Sequence, residues 1–119
     1  MKSRLARGDI VRVRLDPVEG REIRKTRLAV VVSNNAACRF DSVVQVVPIT
    51  GLPDRPLRPY EALIDSEACG LGKPSRVVAN QIRTIAKHRV TKLVGRLTTA
   101  EIKAVDRAVE IQLALRRVP

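Results

Sequence analysis

Aromatic side chains are nearly missing from this sequence: Phe40 and Tyr60 are the only two, and there is no tryptophan. A core must therefore be assembled from Val, Ile, Leu and Ala. The scarcity also argues against a nucleic-acid surface built of stacked aromatic platforms, the device of RRM and many OB-fold proteins. Cysteine and histidine are equally scarce, with Cys38, Cys69 and His88 completing the set. The cysteines form no CxxC pair, and a Cys/His zinc site needs more ligands than these. No metal and no cofactor is expected. Both cysteines read as reduced thiols packed as small hydrophobes, although sequence alone leaves their pairing open. No apolar run approaches the roughly 20 residues that span a bilayer, so no membrane partner is expected. The first nine residues are basic and lack an apolar centre. They do not read as a signal peptide, and a cytoplasmic location is expected.

Acidic residues are outnumbered: 12 Asp and Glu face 23 Lys and Arg, a formal net charge of +11. That excess on a small protein creates a field that attracts polyanions. Nucleic acid is the leading partner class, and an acidic protein partner is compatible with it. The length of 119 residues suits one domain, residues 1–119, able to bury a modest core. No repeat, low-complexity segment or linker interrupts it.

Residues 9–15 alternate, with Val11, Val13 and Leu15 against Arg12 and Arg14, which predicts a strand with one buried and one basic face. Asp16-Pro17 ends it. Residues 18–26 read as a polar loop bending at Gly20. Residues 27–34 hold the densest β-branched run and predict a strand buried on both faces. Residues 43–50 predict another, with Pro48 marking a bulge or an edge. Residues 51–59, with three prolines, form a loop; 61–65 is a short strand; 70–74 is a turn; 76–85 alternates again; 93–97 is a last short strand. The period then changes. Thr98 and Glu101 have capping-box spacing, and Ile102, Val105, Val109 and Leu113 follow at helical spacing, predicting a helix over about 99–116. The fold class is mainly β with a C-terminal α-helix, the short antiparallel strands suiting a small, partly open barrel.

Four segments together resemble the MazF/PemK toxin family: Gly8-Asp9-Ile10-Val11; Asp16-Pro17 through Gly20, Glu22, Lys25 and Arg27 into Ala-Val-Val-Val-Ser-Asn; Val46-Val47-Pro48-Ile49-Thr50; and Asn80-Gln81-Ile82-Arg83-Thr84-Ile85, followed by Gly95-Arg96-Leu97 and the helix. No single tetrapeptide is specific, but the ordered set runs from about residue 7 to 115. The resemblance implies an SH3-like barrel, a homodimer, and an endoribonuclease toxin that cuts single-stranded mRNA within a short sequence. It also implies a cognate acidic antitoxin that blocks the RNA site. Two positions depart from the family. Leu28 stands where most members have proline, and Asn80 where most have Asp or Glu. An amide both donates and accepts, so an altered cleavage sequence is expected if residue 80 touches a base.

Such chemistry uses the RNA's own 2′-hydroxyl as nucleophile, leaving a 2′,3′-cyclic phosphate and a 5′-hydroxyl. One histidine rules out a two-histidine site within a protomer, and His88 lies outside the matched segments. Arg27 aligns with the family's catalytic arginine and Thr50 with its catalytic threonine. A guanidinium can clamp two phosphate oxygens, and a hydroxyl can donate to a phosphoryl oxygen. Taken alone, Arg27 reads as a strand-end charge and Thr50 as a good strand former; the shared match favours catalysis. Arginine, with a pKa above about 12, is a poor base, so Glu22 is the expected base or the orienting partner of Arg27. Asn80 and Gln81 are expected to read a base, and Arg21, Arg24, Lys25 and Arg83 to track the phosphate backbone. Two other readings keep the fold: a CcdB-like gyrase poison acting by protein contact, and a non-catalytic RNA-binding SH3-like module.

Overall fold

The computed structural model describes residues 4–15 and 25–115. The chain runs β1 (Asp9–Leu15), β2 (Lys25–Val31), α1 (Asn35–Phe40), β3 (Val43–Gly51), β4 (Glu61–Ile64), β5 (Ser75–Val78), β6 (Arg83–Ala86), β7 (Val90–Arg96) and α2 (Thr99–Gln112). The strands form one antiparallel sheet in the order β4-β5-β3-β2-β1-β7, with β6 also paired to β3. The sheet is open, so the barrel expected from the sequence is only approximate.

Alternation fixes which side chains share a face. In β1, Val11 and Val13 are buried while Arg12 and Arg14 are exposed, as their spacing predicts. Ile10, Val30, Val47, Ile49, Ala62, Ile64 and Val77 point to one face, where Val105 and Ala108 of α2 cover them. Val11, Val13, Ala29, Val31, Val44 and Val46 point to the other and pack with Leu5, Cys38, Ile85 and Val90. The central strands are therefore buried on both faces, which explains their unbroken β-branched runs. Each fully buried valine contributes on the order of 1.5–3 kcal/mol. Cys38 and Cys69 are free, buried and in separate clusters.

Helix α2 starts at a complete capping box. The Thr98 hydroxyl accepts from the Glu101 amide, and the Glu101 carboxylate accepts from the Thr98 amide. Glu101 also accepts from the amides of Asp65 and Ser66 and from the Ser66 hydroxyl, tying the helix to the end of β4. Burial works to raise its pKa, but these bonds outweigh it and hold the carboxyl below its usual range.

Several expected boundaries differ. Lys25 and Thr26 belong to β2 rather than to a loop. Helix α2 ends at Gln112, not 116, because Ala114 adopts φ 62° and the Leu115 amide turns back to the Glu110 carbonyl. The short helix α1, capped by the Asn34 side chain on the Ala37 amide, has no counterpart in the sequence reading. The expected strand over 76–85 breaks in two around a 3-10 turn, Ala79–Gln81.

That break has a cause in β3. Residues 43–46 pair with β6 and residues 49–51 with β5, both on the same side of β3. Pro48 has no N–H and falls in the gap between the two ladders, where it costs no hydrogen bond. The 3-10 turn that spans this gap carries Asn80 and Gln81.

Candidate functional site

The face that carries the second core cluster opens at one end into a groove. Ala29 pairs with Pro48, and the ladder between β2 and β3 stops there. Continuing the register by one pleat sets Arg27 across from Thr50. On the other side of β3, Thr50 pairs directly with Arg76. Arg27, Thr50 and Arg76 thus form a row across three strands on one face. Glu61 is opposite Val78, so it lies diagonal to Arg76 on that same face.

Arg27 and Thr50 are both exposed, and neither side chain has a hydrogen-bonding partner among the described residues. They line a cleft of about 290 Å³ with Arg55, Glu61, Arg76, Asn80 and Gln81. A second cleft of about 350 Å³ adjoins it, sharing Arg27, Pro48 and Gln81 and adding Arg83. The two make one continuous groove. Among the described residues, four arginines line it against a single carboxylate, Glu61.

Glu61 has its oxygens filled. Oε1 accepts from Arg55 Nη1 at 2.9 Å and from the Arg58 amide at 2.8 Å; Oε2 accepts from Arg55 Nη2 at 2.9 Å and from Arg76 Nη1. The Arg55 guanidinium, with the Arg58 amide and Arg76 also acting against the cost of burial, holds the Glu61 carboxyl down to about 2. A carboxylate so acidic and so fully bonded cannot take a proton at neutral pH. It serves instead as an anchor for two guanidinium groups.

Of the expected site residues, the structure brings Arg27, Thr50, Asn80, Gln81 and Arg83 to this groove. Lys25 lies on β2, upstream of Arg27. Arg21, Glu22 and Arg24 lie outside the described residues. His88 is exposed on the 3-10 turn after β6 and lines neither cleft. The sequence reading missed Arg55, Glu61 and Arg76. Pairing of β4 with β5 brings Arg76 to Glu61, and the loop before β4 brings Arg55.

A mainly β fold whose concave face carries arginines, one hydroxyl and two carboxamides presents the groups that suit a polyanionic ligand. Residues 6–113 match the family described as PemK-like, MazF-like toxin of type II toxin-antitoxin system. The chain belongs to that family. It is 35% identical to Endoribonuclease MazF9 of Mycobacterium tuberculosis, over 93% of this chain and 98% of the relative. It is 30% identical to Endoribonuclease MazF of Staphylococcus saprophyticus, over 96% and 95% of the two chains. Its fold is similar to that of a solved endoribonuclease in complex with its cognate antitoxin from a Mycobacterial species, with TM-score 0.76, 24% identity, and coverage of 96% of this chain and 99% of that one. Among the described residues no helix is long and apolar enough to cross a membrane.

Proposed function

We propose that this chain is the toxin of a type II toxin–antitoxin pair: a single-domain, cytoplasmic endoribonuclease, residues 1–119, that cuts single-stranded RNA at a short recognition sequence. The observation that carries this reading is the placement of Arg27 and Thr50 across neighbouring strands on one cationic face, with Asn80 and Gln81 on its rim. The names of the relatives support the same activity. The net charge of +11 suits both an RNA substrate and an acidic antitoxin, and an endoribonuclease of similar fold has been solved with its cognate antitoxin. A homodimer completes the proposal.

In the proposed reaction the 2′-hydroxyl oxygen attacks the adjacent phosphorus. The P–O2′ bond forms, the P–O5′ bond breaks, and the products are a 2′,3′-cyclic phosphate and a 5′-hydroxyl. Glu22 takes the 2′ proton, and the departing 5′ oxygen takes one from water. Arg27 offers a planar pair of donors to the non-bridging oxygens, and Thr50 donates one more. Neither side chain has a hydrogen-bonding partner among the described residues that would compete for these bonds. Since the nucleophile comes from the substrate, the reaction needs no metal-bound hydroxide. Asn80 and Gln81, on a turn at the meeting point of the two clefts, read the exposed edge of an unstacked base.

The test is incubation of the purified protein with a long single-stranded RNA in EDTA, with the product ends mapped. Recurring short cleavage sequences with 5′-hydroxyl ends are expected. An intact RNA refutes the proposal and turns attention to gyrase inhibition and to RNA binding without turnover.

A further inference from the structure

The two arginines anchored by Glu61 exceed what the buried carboxylate requires. One bidentate guanidinium, Arg55, already neutralises Glu61, and the Arg58 amide adds a further bond. Arg76 brings a second positive charge to the same carboxylate, so the group as a whole is cationic. A guanidinium has five N–H donors. Arg55 engages three of them, two on Glu61 and one on the Pro56 carbonyl. Arg76 engages two, on Glu61 and on the Gly51 carbonyl. Both side chains line the cleft that holds Thr50, and among the described residues both have donors to spare. Their orientation is fixed before any ligand arrives, by a carboxylate whose side chain is only 1% exposed and by a loop stiffened with Pro53, Pro56 and Pro59.

Resting on the reading of the groove as an RNA site, we propose that Arg55 and Arg76 form a second phosphate-binding subsite beside Thr50, taking the RNA phosphate that neighbours the one cleaved. Thr50 and Arg76 are direct cross-strand partners, so their Cβ atoms lie about 5 Å apart. A strand whose scissile phosphate rests between Arg27 and Thr50 passes its next phosphate over Arg76 and Arg55. A pre-oriented fork binds such an oxygen pair with little loss of side-chain freedom. Glu61 is the positioning residue of the subsite and touches no RNA.

The test reads binding apart from cleavage. A random-sequence, fully 2′-O-methylated oligonucleotide cannot supply the nucleophile, so its affinity can be measured against salt concentration with active protein. For a single strand the logarithmic salt slope falls by about 0.7 for each phosphate contact removed. Arg55→Gln is the first variant, because Glu61 keeps Arg76 and the Arg58 amide and the fold is retained. Arg39→Gln, which removes the same charge from exposed α1, is the control. The proposal expects a slope reduced by about 0.7 in Arg55→Gln and unchanged in Arg39→Gln. On cleavable RNA, Arg55→Gln should act mainly by raising KM. Equal slopes for wild type and Arg55→Gln overturn the subsite, as does the same reduction in both variants, which a diffuse field would produce. If wild type leaves ordinary RNA intact while the slope difference persists, the ribonuclease reading fails and the subsite stands.

Discussion

Glu61→Gln is nearly isosteric, yet it removes the negative charge that opposes two guanidinium groups. The wild-type carboxyl lies at about 2 in the folded protein against an ordinary value of 4.5. A folded pKa below the unfolded one means that ionisation stabilises the fold above the unfolded pKa. That stabilisation drains away as pH falls from about 4.5 towards 2. The difference corresponds to on the order of 3 kcal/mol at neutral pH, of which roughly 2 is lost by pH 3. Removing one partner of a buried ion pair costs about 3–5 kcal/mol in general. Here the arginine side chains are 31% and 19% exposed and can turn partly to water, so the lower end applies. The assay is urea unfolding followed by circular dichroism at pH 7 and pH 3. Glu61→Gln should be less stable than wild type by roughly 3 kcal/mol at pH 7, with the gap narrowing to about 1 at pH 3. A gap that stays constant with pH would refute the reasoning, since the lost stability would then owe nothing to the carboxylate's charge.

Gly95→Ala should destabilise the protein, because an added Cβ would meet the Cys69 carbonyl oxygen at 2.2 Å and neither backbone can easily yield. A fall in thermal midpoint of several degrees checks this, and an unchanged midpoint contradicts it. Asn80→Asp replaces an amide that donates with a carboxylate that only accepts. It should shift the cleavage sequence mapped on a long RNA while leaving cleavage itself in place, and an unchanged sequence removes residue 80 from base reading.

Much of the architecture is legible in the residues because it follows from period alone. The alternation of β1 gives its buried and basic faces, and the spacing of Thr98 and Glu101 marks the start of α2. What the residues conceal is set by other means. The end of α2 carries no glycine signal, since Ala114 takes the left-handed conformation that glycine normally supplies. The break at 79–81 hides because Val77, Ala79 and Ile82 keep an apolar rhythm, while the cause lies in the partner switch around Pro48. Helix α1 has six residues, too few for a clear period.

The site divides in the same way. Arg27, Thr50, Asn80, Gln81 and Arg83 come from segments that resemble a known family, and the strand register gathers them into one groove. Arg55, Glu61 and Arg76 lie in a proline-rich loop and two short strands, where each alone reads as an ordinary charge. Pairing of β4 with β5 and the Arg55–Glu61 ion pair together make them a unit. Charge composition pointed to a polyanion, while the location of the cationic face needed three dimensions.

The most direct test of the central claim compares wild type with Arg27→Ala and Thr50→Val for cleavage of one long single-stranded RNA, with binding measured alongside. Both side chains are exposed and carry no structural bond among the described residues, so both variants should fold as wild type does. Loss of one donor to a developing phosphoryl charge should slow cleavage by about 10²–10³-fold, with RNA binding reduced far less. Cleavage at the wild-type rate by either variant would contradict the claim that this row of residues forms the catalytic centre.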